Sequence, residues 1–321
     1  MRRFYCLLFS LLLITIAAIA QQNKPDFRVI GYMRNQVGLA ESVKHIDLVK
    51  ITHLNIAFIN PDSAGNLMVA PGLKSVVGLA HKKGVKVLLS VGGGMPPKYL
   101  PQFIYGDKQA LFIKALTKIA VDYNLDGIDV DLEGGLIDEN YEGFVIKLAS
   151  TLKAKKKLIT SAIATVYADR YTDKALAQFD FINVMCYDKT GPWKPEKPGQ
   201  HAPYSMAAED MDYWANTRGI AKQKLSLGLP FYGYGFGTNA PESMTYRDII
   251  TQYPDAEDKD EVIVPGGGIV YYNGVPTIKS KVALAMEKSG GIMIWQLLQD
   301  AKGDKSLLGI IDKEIKAAQN K

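Results

Sequence analysis

The chain has 321 residues, of which 47% are hydrophobic and 22% charged, with a formal net charge of +5. This composition excludes a disordered chain and fits one large domain or two ordinary ones. The positive balance is too small and too dispersed to mark a nucleic-acid binder.

Residues 1–20 read apart from the rest. Arg2 and Arg3 give a positive start, Leu7 to Ala17 an apolar run, and Ala18-Ile19-Ala20 a small-x-small cleavage site. That is the pattern of a secretory signal peptide. The run is short for a membrane anchor, and no charged stop signal follows it. Its removal takes two arginines and no acid, leaving a net charge of +3 on residues 21–321. The expectation is an exported protein, periplasmic or extracellular, with no membrane contact afterwards. Cys186 would be its one cysteine, so no intrachain disulfide is expected.

Eight short apolar runs follow in chain order. They are "RVIGY" (28–32), "HLNIAFI" (53–59), "KVLLSV" (86–91), "GIDVDL" (127–132), "LITSAIA" (158–164), "FINVMCY" (181–187), "LSLGLPF" (225–231) and "GIMIWQL" (291–297). Helical patterns lie between most of them, as at 73–84, 108–124 and 141–156, with apolar residues three or four apart. Gly84 and Asn124 stand where a helix C-cap belongs. The basic run Lys153 to Lys157 ends a helix and complements its dipole. Strands alternating with helices imply an α/β fold with a parallel sheet. Eight such units fit a closed (β/α)8 TIM barrel better than an open doubly wound sheet. The open sheet usually carries a glycine-rich dinucleotide turn after its first strand, and "GYMRNQVG" is not one. No linker divides the chain, so residues 21–321 are expected to form a single domain.

In such barrels the site lies at the C-terminal ends of the strands. Tyr32, Phe58, Ser90, Glu133, Met185, Tyr187, Asp188 and Trp295 all fall there, with Gly92-Gly93-Gly94 after the third strand. Rings beside carboxylic acids suit a sugar: rings pack on its apolar face and acids protonate the leaving oxygen. In "DGIDVDLEGG", strand alternation turns Asp129, Asp131 and Glu133 one way and Ile128, Val130 and Leu132 the other. The acids would line the barrel interior and climb toward its mouth. Close carboxylates do not all ionise cheaply, so one should hold a proton near neutral pH and act as a general acid.

The same residues admit other readings. Asp129-x-Asp131-x-Glu133 resembles the start of a calcium loop, but its twelfth place is Asn140 rather than Glu. A magnesium pair would come with a phosphate-binding signature, and none is present. A solvated acidic edge conflicts with the interleaved aliphatics. Gly92 and Gly93 lack the Lys-Ser/Thr of a phosphate loop and are expected to let a substrate approach the backbone. Gly233-x-Gly235-x-Gly237 reads as a turn and Gly266-Gly267-Gly268 as a loop. Trp193 reads equally as packing or as cleft lining, and His201 as structural.

The motif "DGIDVDLE" resembles the DGxDxDxE signature of glycoside hydrolase family 18, the chitinases and related endo-β-N-acetylglucosaminidases. "SVGG" (90–93), "NVMCYD" (183–188), "LSLGLPFYG" (225–233) and "GGIMIWQLLQD" (290–300) resemble further family motifs, in family order. The resemblance implies Glu133 as general acid and then base, Asp131 orienting the substrate's 2-acetamido group, and Asp129 beneath it sharing a proton. Tyr32 and Ser90 would support Asp129. Tyr187 would donate to the acetamido oxygen, Met185 and Asp188 would shape the same subsite, and Trp295 would floor it. It further implies substrate-assisted retention through an oxazolinium ion, with neither cofactor nor metal. The expected partner is an N-acetylglucosamine oligo- or polysaccharide. The alternatives are the chitobiose core of N-glycans, or a sugar-binding lectin on the same barrel.

Two positions depart from the family pattern. Gly134 stands where many relatives have an aromatic residue, and Tyr234 where many have Arg. The interval from Phe231 to Gly291 is short for the large α+β insertion of one family branch, so a shallower cleft is expected.

Overall fold

The computed structural model describes residues 27–320. The expected signal peptide, residues 1–20, lies outside the described residues. Twelve strands are formed among the described residues: β1 (Arg28–Arg34), β2 (His53–Ala57), β3 (Lys86–Gly92), β4 (Gly127–Asp131), β5 (Leu158–Ile163), β6 (Phe181–Val184), β7 (Leu225–Pro230), β8 (Tyr232–Phe236), β9 (Ser243–Thr245), β10 (Glu261–Ile263), β11 (Ile269–Tyr271) and β12 (Gly291–Trp295). Strands β1 to β7 and β12 close into a parallel barrel in the order β1-β12-β7-β6-β5-β4-β3-β2. This is the (β/α)8 barrel that the alternating pattern predicts.

Two apolar cores follow from the period-two alternation of the strands. Ile128, Val130 and Leu132 of the β4 segment are fully buried in the outer core, against helices such as Gln109–Asp122 and Tyr141–Lys153. The inner core is smaller and holds Ile30, Tyr32, Met185, Tyr187 and Met293. Asp129 and Asp131 belong to the inside face, 0% and 4% exposed. Gly84 (φ +74°) and Asn124 (φ +53°) turn left-handed just past their helices, as helix ends of this kind require.

Between β7 and β12 the chain builds a second, antiparallel sheet in the order β10-β11-β8-β9, with the helix Tyr246–Gln252 beside it. This corrects the reading of Gly233-x-Gly235-x-Gly237 as a turn. Gly233 and Gly235 are interior to β8, and a Cβ on either would meet the backbone carbonyl of Tyr271 or Pro241 at 2.5 or 2.1 Å. The glycines are spaced for close packing of strands, with aromatic residues at 232, 234 and 236 between them. Gly266 to Gly268 connect β10 to β11, as expected for a loop. No helix among the described residues is long and apolar enough to cross a membrane.

Candidate active site

The register of the barrel brings the inner acid together with its donors. Ser90 pairs with Asp129 across β3–β4, and Asp129 with Thr160 across β4–β5. Asp129 Oδ2 accepts from the Tyr32 hydroxyl at 2.7 Å and from Ser90 Oγ at 2.8 Å, and Oδ1 accepts from Thr160 Oγ1 at 2.5 Å. Asn183 Nδ2 donates to the Tyr32 hydroxyl at 3.1 Å, so that hydroxyl's own proton is directed at Asp129. Burial raises the pKa of Asp129, and the three hydroxyl donors pull against it. Thr160 and Asn183 escaped the sequence reading. The signal in the chain is weak: Asn183 is the one polar residue of β6, but Thr160 shares β5 with a second buried polar residue, Ser161.

Asp131 differs from Asp129 in having little support. It is buried, and its Oδ1 has no hydrogen-bond partner among the described residues. Its pKa lies well above the usual range, through burial first and then through the charges of Glu133 and Asp129. Glu133 follows the strand in extended conformation (φ −123°, ψ 158°), so alternation continues beyond β4 and carries it to the mouth. Burial, then the charge of Asp188, raises Glu133 to about 7. A carboxyl group with that value is partly protonated at neutral pH and can donate a proton or, once ionised, accept one. Asp129 and Asp131 lie within a barrel strand flanked by buried aliphatics, a setting that differs from a calcium loop.

Aromatic residues surround the acids. Trp295 stacks on Phe58 with centroids 5.5 Å apart and planes at 25°, and leans on Tyr32 at 5.6 Å. Tyr187 is buried, and its hydroxyl lies 3.7 Å from Met293 Sδ, a weak acceptor that leaves the proton available to a better one. Burial, then Asp188, Asp131 and Glu133, pushes this phenol well above its ordinary pKa, so it is a neutral donor. Met185 packs in the same inner cluster. Asp188 has φ +64° and accepts from the Tyr232 hydroxyl at 2.5 Å, while His201 Nδ1 lies 3.4 Å away. His201 is fully buried, consistent with a structural part. Trp193 is 53% exposed at the rim and packs edge-on against Tyr234 at 5.2 Å, so it can pack and present a face at once.

Gly92 and Gly93 are required by the packing of the protein itself, which fills the room that their missing side chains leave. At Gly92 (φ +107°) a Cβ would sit 2.1 Å from the Asp131 carbonyl oxygen, and at Gly93 (φ +89°) 2.5 Å from the Phe58 ring. Gly93 N–H donates to that same carbonyl at 2.7 Å. These glycines therefore seat Asp131 and Phe58. A groove of about 550 Å³ on the outer helices, lined by Ile113, Lys118, Val121 and Lys147, contains none of the residues above.

A closed parallel barrel with a graded column of carboxyl groups and an aromatic floor at its C-terminal end defines a sugar-hydrolase type of scaffold. The family model for "Glycosyl hydrolases family 18" matches residues 28–300, and the chain belongs to that family. It is similar to the chitinase ChiB from the chitin utilization locus of Flavobacterium johnsoniae, at 37% identity and a TM-score of 0.83 over 92% of this chain and 96% of that one. A chitinase structure from Bacteroides thetaiotaomicron is 30% identical, with a TM-score of 0.79 over 92% and 98% of the two chains. Among curated proteins, a chitinase-like effector of Moniliophthora roreri is 26% identical, and the match spans 66% of this chain and 60% of that protein.

Proposed function

We propose that the protein is an exported, retaining glycoside hydrolase that cleaves β-1,4-linked N-acetylglucosamine polymers with the substrate's own acetamido group as nucleophile. The observation that carries this reading is the buried Asp131 Oδ1 without a donor. A buried carboxylate oxygen left unpaired is costly, and an acetamido N–H placed over it supplies the missing donor. Family membership and the similarity to chitinases support the substrate class. The Arg2 to Ala20 segment supports export.

The Glu133 carboxyl proton passes to the glycosidic oxygen while the acetamido carbonyl oxygen attacks C1. The C1–O bond breaks, the leaving sugar departs as an alcohol, and an oxazolinium ion forms. Asp131, its own proton passed to Asp129 beneath it as substrate binds, accepts the N–H of that cation and balances its charge, and the Tyr187 hydroxyl donates to the acetamido oxygen. Glu133, now a carboxylate, takes a proton from water as the water oxygen adds to C1 from the face the leaving group vacated. The ring opens with retention, and Glu133 is again an acid. Two inversions at C1 give retention without a carboxylate nucleophile, a recognised exception to the two-carboxylate scheme. Trp295, stacked on Phe58, forms the floor under the reacting sugar.

The test is incubation with chitooligosaccharides and, separately, a high-mannose glycoprotein, beside Glu133→Gln. Cleavage of the first alone is expected, and it should vanish in the variant. Cleavage of the glycoprotein instead would move the substrate to the N-glycan core. Sugar binding without any product would make the protein a lectin.

A further inference from the structure

Lys281 is a fully buried lysine on the outer helix Val275–Lys288, at the back of the barrel wall. Its ammonium donates to the Ala202 carbonyl oxygen at 2.7 Å and to Asn273 Oδ1 at 2.7 Å. Both partners are neutral. Asn273 Nδ2 donates to the same carbonyl at 2.9 Å, so the Ala202 carbonyl accepts two side-chain hydrogen bonds. A buried cation held only by neutral oxygens is costly, and a well-packed apolar side chain would often be as stable there. The acids that face it are Asp210 and Asp260, with the Cys186 thiol as the other titratable group. Burial lowers its pKa to about 8.

Ala202 follows His201, and the loop is closed where Lys189 N–H donates to the His201 carbonyl at 2.9 Å. The His201 ring sits between Asp188 Oδ1 (3.4 Å) and the Tyr232 carbonyl oxygen (3.3 Å). Tyr232 in turn donates its hydroxyl to Asp188. Asp188 adjoins Tyr187 in the chain; the groups around Glu133 are the Asp188 and Asp131 carboxyls and the Tyr171, Tyr187 and Tyr234 hydroxyls. A continuous set of contacts thus runs from the outer helix to the mouth of the barrel.

We propose that Lys281 is a positioning residue for the candidate active site: by pinning Ala202 it fixes His201, and through it the Asp188 carboxylate beside Tyr187 at the mouth of the barrel. The inference rests on the reading of Glu133 as the proton donor. It gives the buried ammonium a purpose that fold stability alone does not.

The test compares the wild type with Lys281→Met, His201→Gln and the double variant. The Glu133 carboxyl is followed by carbon NMR during a pH titration, alongside the pH dependence of chitooligosaccharide cleavage. Lys281→Met keeps the side-chain length and leaves Ala202 with the Asn273 bond alone, so a folded protein with a less tightly held loop is expected. The Glu133 titration and the alkaline limb should both move to lower pH, kcat should fall about tenfold above neutrality, and KM should stay within about twofold. His201→Gln should do the same, and the double variant should add little, because both act through one chain of contacts. An unmoved Glu133 titration in folded Lys281→Met overturns the proposal. So do additive effects in the double variant. Should Lys281→Met not fold, an unmoved titration in His201→Gln has the same force. Absence of cleavage in the wild type, with the titration shifts intact, would instead count against the functional reading alone.

Discussion

The Tyr32 hydroxyl crosses the barrel interior from β1 to β4 and donates to Asp129 at 2.7 Å. Ser90 and Thr160 complete the set, so the deepest acid is nearly saturated with donors while Asp131, two residues on, has an oxygen with none. The difference assigns their parts: a well-supplied carboxylate stays in place, and an undersupplied one is set to take a donor from a substrate. Tyr32→Phe should therefore raise the Asp129 pKa, destabilise the fold by roughly 1–3 kcal/mol, and lower kcat about tenfold at pH 7. Urea unfolding and initial rates check the last two effects. Unchanged kcat would detach Tyr32 from the site.

Stability should depend on pH through Glu133. Its folded pKa, about 7, lies above the ordinary 4.5. Below the ordinary value both folded and unfolded states are protonated, and nothing is lost. Between the two values the unfolded chain ionises first, so stability falls as pH rises, by up to about 3 kcal/mol. Glu133→Gln removes this penalty. Its Tm should exceed that of the wild type by several degrees at pH 8 and match it near pH 4. Thermal melts at the two pH values decide the matter, and an equal difference at both would contradict the raised pKa.

Much of this was legible in the chain. The period-two pattern of "GIDVDLE" gave both the barrel strand and the inward column, because alternation is a local property of extended backbone. Eight strand–helix units gave the closed barrel. Thr160 and Asn183 were not legible as site residues, since their partners stand 31 and 151 positions away and depend on barrel register. The β8 glycines misled for a related reason. Spacing shows that small residues are needed, but not whether backbone, ring or ligand fills the space. Gly92 and Gly93 illustrate the same limit.

Gly92→Ala tests whether Gly92 seats Asp131. The methyl group would fall 2.1 Å from the Asp131 carbonyl oxygen at a backbone angle of φ +107°. Backbone on both sides leaves little room to relax, and a loss of roughly 3 kcal/mol or more is expected, with activity falling as Asp131 shifts. Denaturant melts read the first effect and initial rates the second. Near-normal stability together with weaker substrate binding would restore the view that this glycine faces the sugar.

The central claim is that the acetamido group and not a carboxylate attacks C1, with Asp131 and Glu133 in support. Proton NMR of chitooligosaccharide hydrolysis, recorded before the anomers equilibrate, tests it most directly. The account predicts the β-anomer at the new reducing end, and no cleavage where the reacting sugar lacks its acetyl group. The α-anomer appearing first, or efficient cleavage of the de-acetylated polymer, would contradict it.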